Sequence, residues 1–404
     1  MGFHVKRVVE KMLLAWRIVV YGTNLVLAWL VFRILYRGKV SQGTIAMGSS
    51  NGKFCDENIS QLFRYLASKG ERVHYIIDKN SPDFHKVQTL GSVLFRFSFL
   101  ANLTVFRSEF IIYDTSYYDV IRCDRRKLQA STTINVFHGI HGLKAISKEN
   151  AEKRTTNDDY VIATSCFEKQ IKMKWGFDKD RVLLTGLPRY DNLYNERITS
   201  RNCEKAIFCF PTWRPWFPRG YLQPSQREVE SFTRSRYFQT IMELANSHEL
   251  NAFLESKGYR LEIYIHKLMS RYITRSELSC TQGHISILDY DTNIQEKLIR
   301  SKFLITDYSS VIFDFLYLGK KVILYQFDRD EYYSKTPGSY VDFDEIADLV
   351  VFDYESLFAR LRQYIEEDPP QTYAERQLLD KFVKYHDSNA CDRLYGHLLR
   401  LRED

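Results

Sequence analysis

Short apolar runs alternate with helical segments along most of the chain, and this alternation constrains the fold more than any other feature of the sequence. Strands that are joined through helices lie parallel, and a parallel sheet has helices packed on its faces. The predicted strands are 44–47, 73–77, 110–113, 134–137, 161–163, 182–184, 206–210, 261–265, 285–288, 303–305 and 322–325. The predicted helices include 59–68, 228–256, 294–301, 311–318 and 354–367. The pattern therefore predicts an α/β protein with parallel sheets.

A polar run at 195–205 separates two such strand–helix series, and 404 residues suit two domains of ordinary size. We expect two Rossmann-like domains that face a cleft, residues 43–200 and residues 201–404. Ligands of such sheets bind at the carboxyl ends of the strands. The sequence leaves open whether the last helices pack back on the first domain.

Residues 1–42 form an apolar and basic segment ahead of the first domain. Its uninterrupted apolar part, 18–32, would be a helix roughly 22 Å long, short of the roughly 30 Å hydrocarbon core of a bilayer. The flanking cations are Lys6, Arg7, Lys11, Arg17, Arg33, Arg37 and Lys39. Three interpretations stay open: a helix lying in the membrane interface, a tilted span, and a helix packed on its own domain.

Net charge, cysteine content and the absence of common motifs limit the classes of protein that the sequence fits. The formal charge of +7 suits anionic partners, although an ordinary basic protein would also show it. The seven cysteines include no C-x-x-C pair, which indicates a reducing compartment and argues against a structural zinc site. The chain has no Walker A motif, no G-x-G-x-x-G fingerprint and no G-x-S-x-G elbow. We expect no metal, no cofactor and no nucleic-acid partner.

The strongest local signal runs from Lys302 to Asp314. An apolar strand leads into Thr306-Asp307-Tyr308-Ser309-Ser310, and a helix follows. Two hydroxyls beside the free N–H groups of a helix start make a phosphate cradle. Plain helix capping by the serines explains the same pattern equally well.

Three further segments end predicted strands with residues that carry chemistry. His138-Gly139, with Lys144 close behind, fits a general base beside a close substrate approach, or a turn with a core histidine. His138 and His141 have helical spacing for a metal, but no further ligands are visible. Arg214, between two prolines, could clamp phosphate oxygens or be a surface arginine. His266 and Lys267 put two cations at a strand end, where both could simply be solvated.

Together these segments resemble the CDP-glycerol glycerophosphotransferase family, the primases and polymerases of teichoic acids and related capsules. The resemblance lies in four stretches in the family's order: His138-Gly139 with Leu143-Lys144, residues 185–191, Pro211-Thr212-Trp213-Arg214, and residues 304–314. Tyr325 and residues 340–343 follow in the expected order. The His-Gly segment is one residue longer than the family pattern, and Lys267 stands where the family usually has proline.

The resemblance implies a GT-B fold and a transfer reaction. An acceptor hydroxyl attacks the β-phosphorus of CDP-glycerol or CDP-ribitol, and CMP leaves. His138 and His266 are the implied catalytic residues, with His138 as the base. The implied donor-binding residues are Ser309, Ser310, Thr306, Asp307, Arg214, Gly139, Lys144, Arg189 and Asp314.

The same resemblance implies a setting. The acceptor is a lipid-linked glycan or a growing polyol-phosphate polymer of a teichoic acid, capsule or related polysaccharide. The expected location is the cytoplasmic face of the cell membrane, against an anionic surface. Two alternatives are a GT-B glycosyltransferase that uses a nucleotide sugar and an inactive, membrane-bound assembly subunit.

Overall fold

The computed structural model describes residues 2–55, 57–199, 203–218, 224–266, 269, 272, 283–289 and 292–403, with residues 2–15 and 17 described by their backbone alone. The chain forms two compact units. The first contains Met1–His138, Lys148–Asp191 and Asp387–Asp404, and the second contains Gly139–Ser147 and Asn192–His386. The predicted boundary run 195–205 includes 200–202, which lie outside the described residues.

A seven-stranded parallel sheet with the order β3-β2-β1-β4-β5-β6-β7 forms the centre of the described first unit. Its strands are β1 (Ser41–Gly48), β2 (Arg72–Ile77), β3 (Ser92–Phe95), β4 (Ser108–Tyr113), β5 (Thr132–Asn135), β6 (Tyr160–Ala163) and β7 (Val182–Leu184). The central strands are buried almost throughout, as expected where helices cover both faces.

The described second unit repeats the architecture with a six-stranded parallel sheet in the order β10-β9-β8-β11-β12-β13. Its strands are β8 (Glu204–Cys209), β9 (Arg260–Tyr264), β10 (Ile285–Leu288), β11 (Ser301–Thr306), β12 (Lys321–Tyr325) and β13 (Val350–Val351). In each sheet the strand order reverses beside the first strand. This reversal is the switch point at which doubly wound sheets bind ligands. The prediction of two Rossmann-like α/β domains is confirmed.

Helices connect the strands in both units. Those that begin in the first unit are α1 (Gly2–Ile34), α2 (Glu57–Ser68), α3 (Phe84–Gln88), α4 (Phe99–Arg107), α5 (Lys148–Asn157), α6 (Cys166–Lys174), α7 (Arg189–Thr199) and α16 (Ala390–Glu403). Those of the second unit are α8 (Gln226–Thr233), α9 (Arg236–Ala245), α10 (His248–Lys257), α11 (Ile294–Arg300), α12 (Val311–Tyr317), α13 (Arg329–Ser334), α14 (Tyr354–Glu367) and α15 (Tyr373–Phe382).

The single helix predicted at 228–256 is wrong, because serine caps divide that stretch into α8, α9 and α10. Ser235 accepts a hydrogen bond from the backbone N–H of Phe238, and Ser247 accepts one from that of Leu250. Each serine has an extended backbone, so it begins a new helix instead of continuing the previous one.

Helix α1 packs one face within the first unit and exposes another. Ala28 and Phe32 are buried, and the ring of Phe32 stacks on Phe106 of α4 with centroids 6.0 Å apart. Large apolar side chains cover the exposed face: Trp16, Ile18, Val19, Val20, Val26, Leu27, Leu30 and Ile34. Within the described part of the chain, no helix combines the length and the apolar character that crossing a membrane requires.

Candidate functional site

The loop after β11 carries the serine pair at the switch point of the second sheet. Thr306 is buried, and its hydroxyl donates to the Phe210 carbonyl at 2.7 Å, which ties this loop to the one after β8. Ser309 and Ser310 are partly exposed, whereas residues 303–308 are buried. The Ser310 side chain makes no capping hydrogen bond to α12. Capping therefore does not account for Ser310, whose side chain is partly exposed.

A buried ion-pair network fixes the loop after β11. Arg214 is fully buried, its Nη1 donates to Asp307 Oδ2 at 2.8 Å, and its Nε donates to Asp328 Oδ2 at 2.6 Å. The other oxygen of Asp307 accepts the backbone N–H groups of Thr212 and Tyr308. The loop that ends in the two serines is therefore held by a carboxylate that is itself held by Arg214.

Charge and aromatic packing reinforce the network. Burial alone would lower the pKa of Arg214, but the carboxylates of Asp307 and Asp328 raise it, so the guanidinium stays charged. Burial raises the pKa of Asp328, and Arg214 opposes that effect. The Tyr308 ring stacks on Tyr332 with centroids 3.7 Å apart. The sequence left two roles for Arg214, a phosphate clamp and a surface arginine. The surface position is wrong because the side chain is fully buried, and its guanidinium donates to protein carboxylates.

The His138 segment leaves β5 through a tightly fixed turn in the first unit. Phe137 has a positive φ of 51°, and its N–H donates to Asn135 Oδ1 at 2.9 Å. Asn58 donates to the Phe137 carbonyl at 2.8 Å, and Arg189 Nη1 donates to the His138 carbonyl at 2.7 Å. These contacts fix the backbone on both sides of the ring, and the His138 side chain is exposed.

Gly139 lies directly against Ser310 within the second unit. A Cβ at Gly139 would lie 2.5 Å from Ser310 Oγ and 3.3 Å from Ser310 Cβ. Because real Cβ atoms do not approach that closely, only glycine fits without displacing Ser310. His138 precedes Gly139 directly in the chain.

The loop that follows Gly139 pairs with the segment around Tyr340. The Tyr340 N–H donates to the Gly142 carbonyl at 2.9 Å, and the Ala145 N–H donates to the Gly338 carbonyl at 2.8 Å. The half-buried Lys144 lies between these two backbone contacts. This pairing gives a structural reason for the occurrence of residues 340–343 together with the His-Gly segment.

The remaining predicted site residues take separate positions in the second unit. The partly buried His266 ring lies parallel to Phe210, with centroids 6.3 Å apart. Asp314 is buried in the first turn of α12. Lys267 lies outside the described residues. No cluster of three or more potential metal ligands occurs among the described residues.

Sequence reasoning did not single out three supporting residues, Asn58, Asn135 and Asp328. Asn58 also accepts the Arg189 N–H at 3.1 Å, so one side chain joins the turn after β5 to the start of α7. The available signal was a polar residue in the first turn of a helix for Asn58, at the last position of a strand for Asn135, and a few residues after a strand for Asp328. That signal is weak without coordinates.

Comparisons with known proteins give a family match, related sequences and structures of similar fold. The family model described as CDP-glycerol:poly(glycerophosphate) glycerophosphotransferase matches residues 30–400. The minor teichoic acid biosynthesis protein GgaB of Bacillus subtilis strain 168 is 26% identical over 361 residues, which is 86% of this chain. A teichoic acid glycerol-phosphate transferase of Staphylococcus aureus strain NCTC 8325 is 24% identical over 61% of this chain.

The chain spans only part of these two relatives, 38% of the first and 62% of the second. Among solved structures, a variant of the wall teichoic acid polymerase TagF soaked with CDPG is similar over 98% of this chain and 95% of that one. Its TM-score is 0.65 at 19% identity, which shows a shared fold of two Rossmann-like domains.

Proposed function

Because the chain belongs to the CDP-glycerol:poly(glycerophosphate) glycerophosphotransferase family, we propose that it transfers a polyol phosphate from a CDP-activated donor to an acceptor hydroxyl and releases CMP. Glycerol phosphate is the first candidate and ribitol phosphate the second. The observation that carries the proposal is the approach of Gly139 to Ser310, which joins the family's histidine motif to its serine motif.

In this proposal the acceptor oxygen attacks the β-phosphorus of the donor. A new bond forms between oxygen and phosphorus, the bond from that phosphorus to the bridging oxygen breaks, and CMP carries the electron pair away. His138 takes the proton of the attacking hydroxyl. Its exposed side chain on a fixed backbone supports this assignment, because a general base must reach the substrate from a defined position.

Ser309 and Ser310 bind the donor pyrophosphate in this scheme, with His266 and Lys144 as additional cationic or hydrogen-bonding groups. Phosphoryl transfer depends mostly on positioning and charge stabilisation, so a rigid loop is an asset. Asp307 and Thr306 act through the backbone that they hold, and Arg214 acts through Asp307. Arg189 and Gly139 position the histidine segment, and Asp314 is assigned to the ribose.

The membrane-associated setting is part of the same proposal. The exposed apolar face of α1, followed by Arg33, Arg37 and Lys39, suits a helix that lies in the interface of an anionic leaflet. We assign the chain to the cytoplasmic face of the cell membrane, where a lipid-linked or growing polymer acceptor would meet it. The relatives named for teichoic acid biosynthesis support a surface-polymer acceptor.

Donor choice tests the function. Purified chain is incubated with CDP-glycerol, CDP-ribitol or a panel of nucleotide sugars, each with the same lipid-linked acceptor or a soluble mimic. We expect turnover with a CDP-polyol and none with the sugars. Turnover with a nucleotide sugar alone would make the chain a glycosyltransferase, and turnover with no donor would favour an inactive assembly subunit.

A further inference from the structure

The switch point of the first sheet carries a second polar site that the proposed mechanism does not use. It lies where the loop after β1, residues 49–53, meets the loop after β4, residues 114–123. Since doubly wound sheets bind ligands at this point, these two loops are where the first unit is expected to hold one.

The two loops are locked together in an unusual backbone conformation. Ser50, Asn51 and Gly52 all have positive φ values, 48°, 55° and 76°. The carboxylate of Asp119 fixes this turn, since it accepts the N–H groups of Asn51 at 2.7 Å, Thr115 at 3.0 Å and Ser116 at 3.0 Å. Non-glycine residues with positive φ persist where the surroundings over-determine them, as at ligand-binding turns.

Three cations lie at these loops, one of them buried and two exposed. Arg96 is 8% exposed, and it donates to the carbonyls of Asn51 and Tyr118. Its Nε is buried and has no hydrogen-bond partner among the described residues. Arg122 is exposed, its Nη2 donates to Asn51 Oδ1 at 3.1 Å, and Lys53 is exposed on the same turn.

Two nearby carboxylates, Asp78 and Asp119, offset part of the positive charge of this cluster. Asp119 is fully buried and already accepts three backbone N–H groups. Asp78 lies 3.9 Å from Arg96, and burial raises the pKa of its carboxyl against the opposing effect of Arg96, Lys53 and Arg122. Three cations therefore lie near two carboxylates, Asp78 and Asp119, and the excess of positive charge favours an anionic ligand. Arginine in particular suits phosphate oxygens.

A groove and helix α1 adjoin the cluster. An open groove of about 610 Å³ is lined by Tyr117, Tyr118, Arg122, Asp124, Arg125 and Asn157, among others. The Asp124 carboxylate is paired with Arg126 at 2.6 Å. Tyr21 of α1 accepts the Arg122 N–H at 3.0 Å and donates to the Arg122 carbonyl.

The Tyr21 ring also packs edge-on against Phe97, with centroids 4.6 Å apart. Helix α1, which has the exposed apolar face, is thus hydrogen-bonded through Tyr21 directly to Arg122.

From this geometry we propose that Lys53, Arg96 and Arg122 form a subsite for a phosphate group of the acceptor, a phosphodiester or pyrophosphate that enters along the groove beside α1. The proposal rests on the proposed function, since it names the part of the first unit that holds the acceptor. The same phosphate chemistry could come from a phospholipid headgroup, so the test must separate the two sources.

Direct binding of a soluble probe tests the subsite without turnover. A fluorescently labelled oligo(glycerol phosphate) is titrated with wild-type chain, Arg122→Gln, and the control Arg64→Gln, which removes an exposed arginine on α2. We expect Arg122→Gln to weaken probe binding about tenfold, since losing one charge-assisted contact has roughly that effect, while Arg64→Gln binds like wild type. Unchanged probe binding in Arg122→Gln would overturn the proposal.

Binding to lipid vesicles is the second part of the test. Binding to phosphatidylglycerol vesicles should be the same for wild type and Arg122→Gln. Loss of vesicle binding without loss of probe binding would assign the cluster to lipid headgroups and overturn the acceptor subsite. In the transfer assay, Arg122→Gln should raise KM for the acceptor and leave KM for the donor unchanged. If no donor reacts while the probe result holds, the proposed reaction fails and the subsite stands.

Discussion

At the scale of single residues, adding one methyl group at Gly139 should disturb the site more than a similar change at the other site positions. An alanine there would place its Cβ 2.5 Å from Ser310 Oγ. We expect Gly139→Ala to displace Ser310 and weaken CDP binding about tenfold, measured by calorimetry, because overpacking a fixed site forces its neighbours out of place.

The matched control is Gly396→Ala in α16, where the nearest atom to a new Cβ is the far end of Arg400 at 3.8 Å. This variant should bind CDP like wild type. Wild-type affinity in Gly139→Ala would show that the position of Ser310 does not matter for the nucleotide.

Arg214 is the second residue whose role can be decided by one substitution. Removing one partner of a buried ion pair leaves uncompensated charge and costs about 3–5 kcal/mol. We expect Arg214→Gln to lower the free energy of unfolding by that order, measured by urea denaturation, because Asp307 and Asp328 lose their common partner. The exposed Arg234→Gln should change little. Wild-type stability with a loss of CDP affinity alone would restore Arg214 as a phosphate clamp.

The serine pair and Arg214 show which single-residue features could be predicted from the sequence and which could not. The strand–turn–helix pattern at 303–314 was enough to single out Ser309 and Ser310, because strand ends and caps are local features. The two partners of Arg214 were not predictable, since Asp307 lies 93 and Asp328 lies 114 positions away in the chain and only the fold brings them near. Burial of an arginine is likewise a tertiary property.

At the scale of elements, the exposed face of α1 determines whether the helix meets a membrane. Val19, Val26 and Leu30 are 60%, 50% and 39% exposed on one stripe of this face. Replacing all three with glutamine should lower partition onto phosphatidylglycerol vesicles on the order of a hundredfold, because each side chain contributes about 1 kcal/mol on burial.

A control triple variant makes the same chemical change at exposed apolar residues elsewhere: Ile198, Phe352 and Tyr373. Its vesicle binding, measured by co-sedimentation, should match wild type. Equal vesicle binding by the α1 variant and wild type would mean that α1 does not bind the membrane. The helix would then only pack on its own unit.

The end of β4, the end of β5 and α5 meet at a buried carboxyl group that should make stability depend on pH. Asp158 accepts from Tyr113 at 2.6 Å and from Asn135 at 3.0 Å, and Arg154 lies 4.0 Å away. Burial raises the pKa of Asp158 from 3.8 to about 6. Because the folded state holds this proton more tightly, the stabilisation is full below pH 4 and is lost as pH rises through about 6.

The size of the effect follows from the shift, about 3 kcal/mol at most. Urea denaturation at a series of pH values should show this decline for wild type and a shallower one for Asp158→Asn. Asp180→Asn, at an exposed position, serves as the control with the wild-type slope. Identical slopes in Asp158→Asn and wild type would mean that the carboxyl is not the group that titrates.

Some helices and strands were predicted correctly from local sequence signals, and others were not. The helix predicted at 354–367 matches α14, because Asp353 caps it and its apolar spacing is regular. The edge strands β3 and β13 were not predicted, since β3 is only partly buried and β13 has two residues. Short edge strands owe their conformation to the neighbour they pair with, so their own sequence carries little signal.

At the scale of the whole molecule, both sheets place their first strand beside the point where the order reverses. The alternation of strands and helices was enough to predict two parallel α/β sheets, because right-handed crossovers leave few other solutions. The alternation does not determine which strand lies beside which. That order matters for function, since it puts the serine pair after β11 and the cations after β1 and β4 at equivalent switch points.

The central claim is that the chain moves a polyol phosphate, and the nucleotide product tests it most directly. With CDP-glycerol or CDP-ribitol and an acceptor, phosphorus NMR should show CMP and a new phosphodiester. His138→Ala should form both about 10²–10⁴-fold more slowly while still binding the donor. Release of CDP in place of CMP would mean that the polyol leaves without its phosphate, and near-wild-type turnover in His138→Ala would remove His138 as the base.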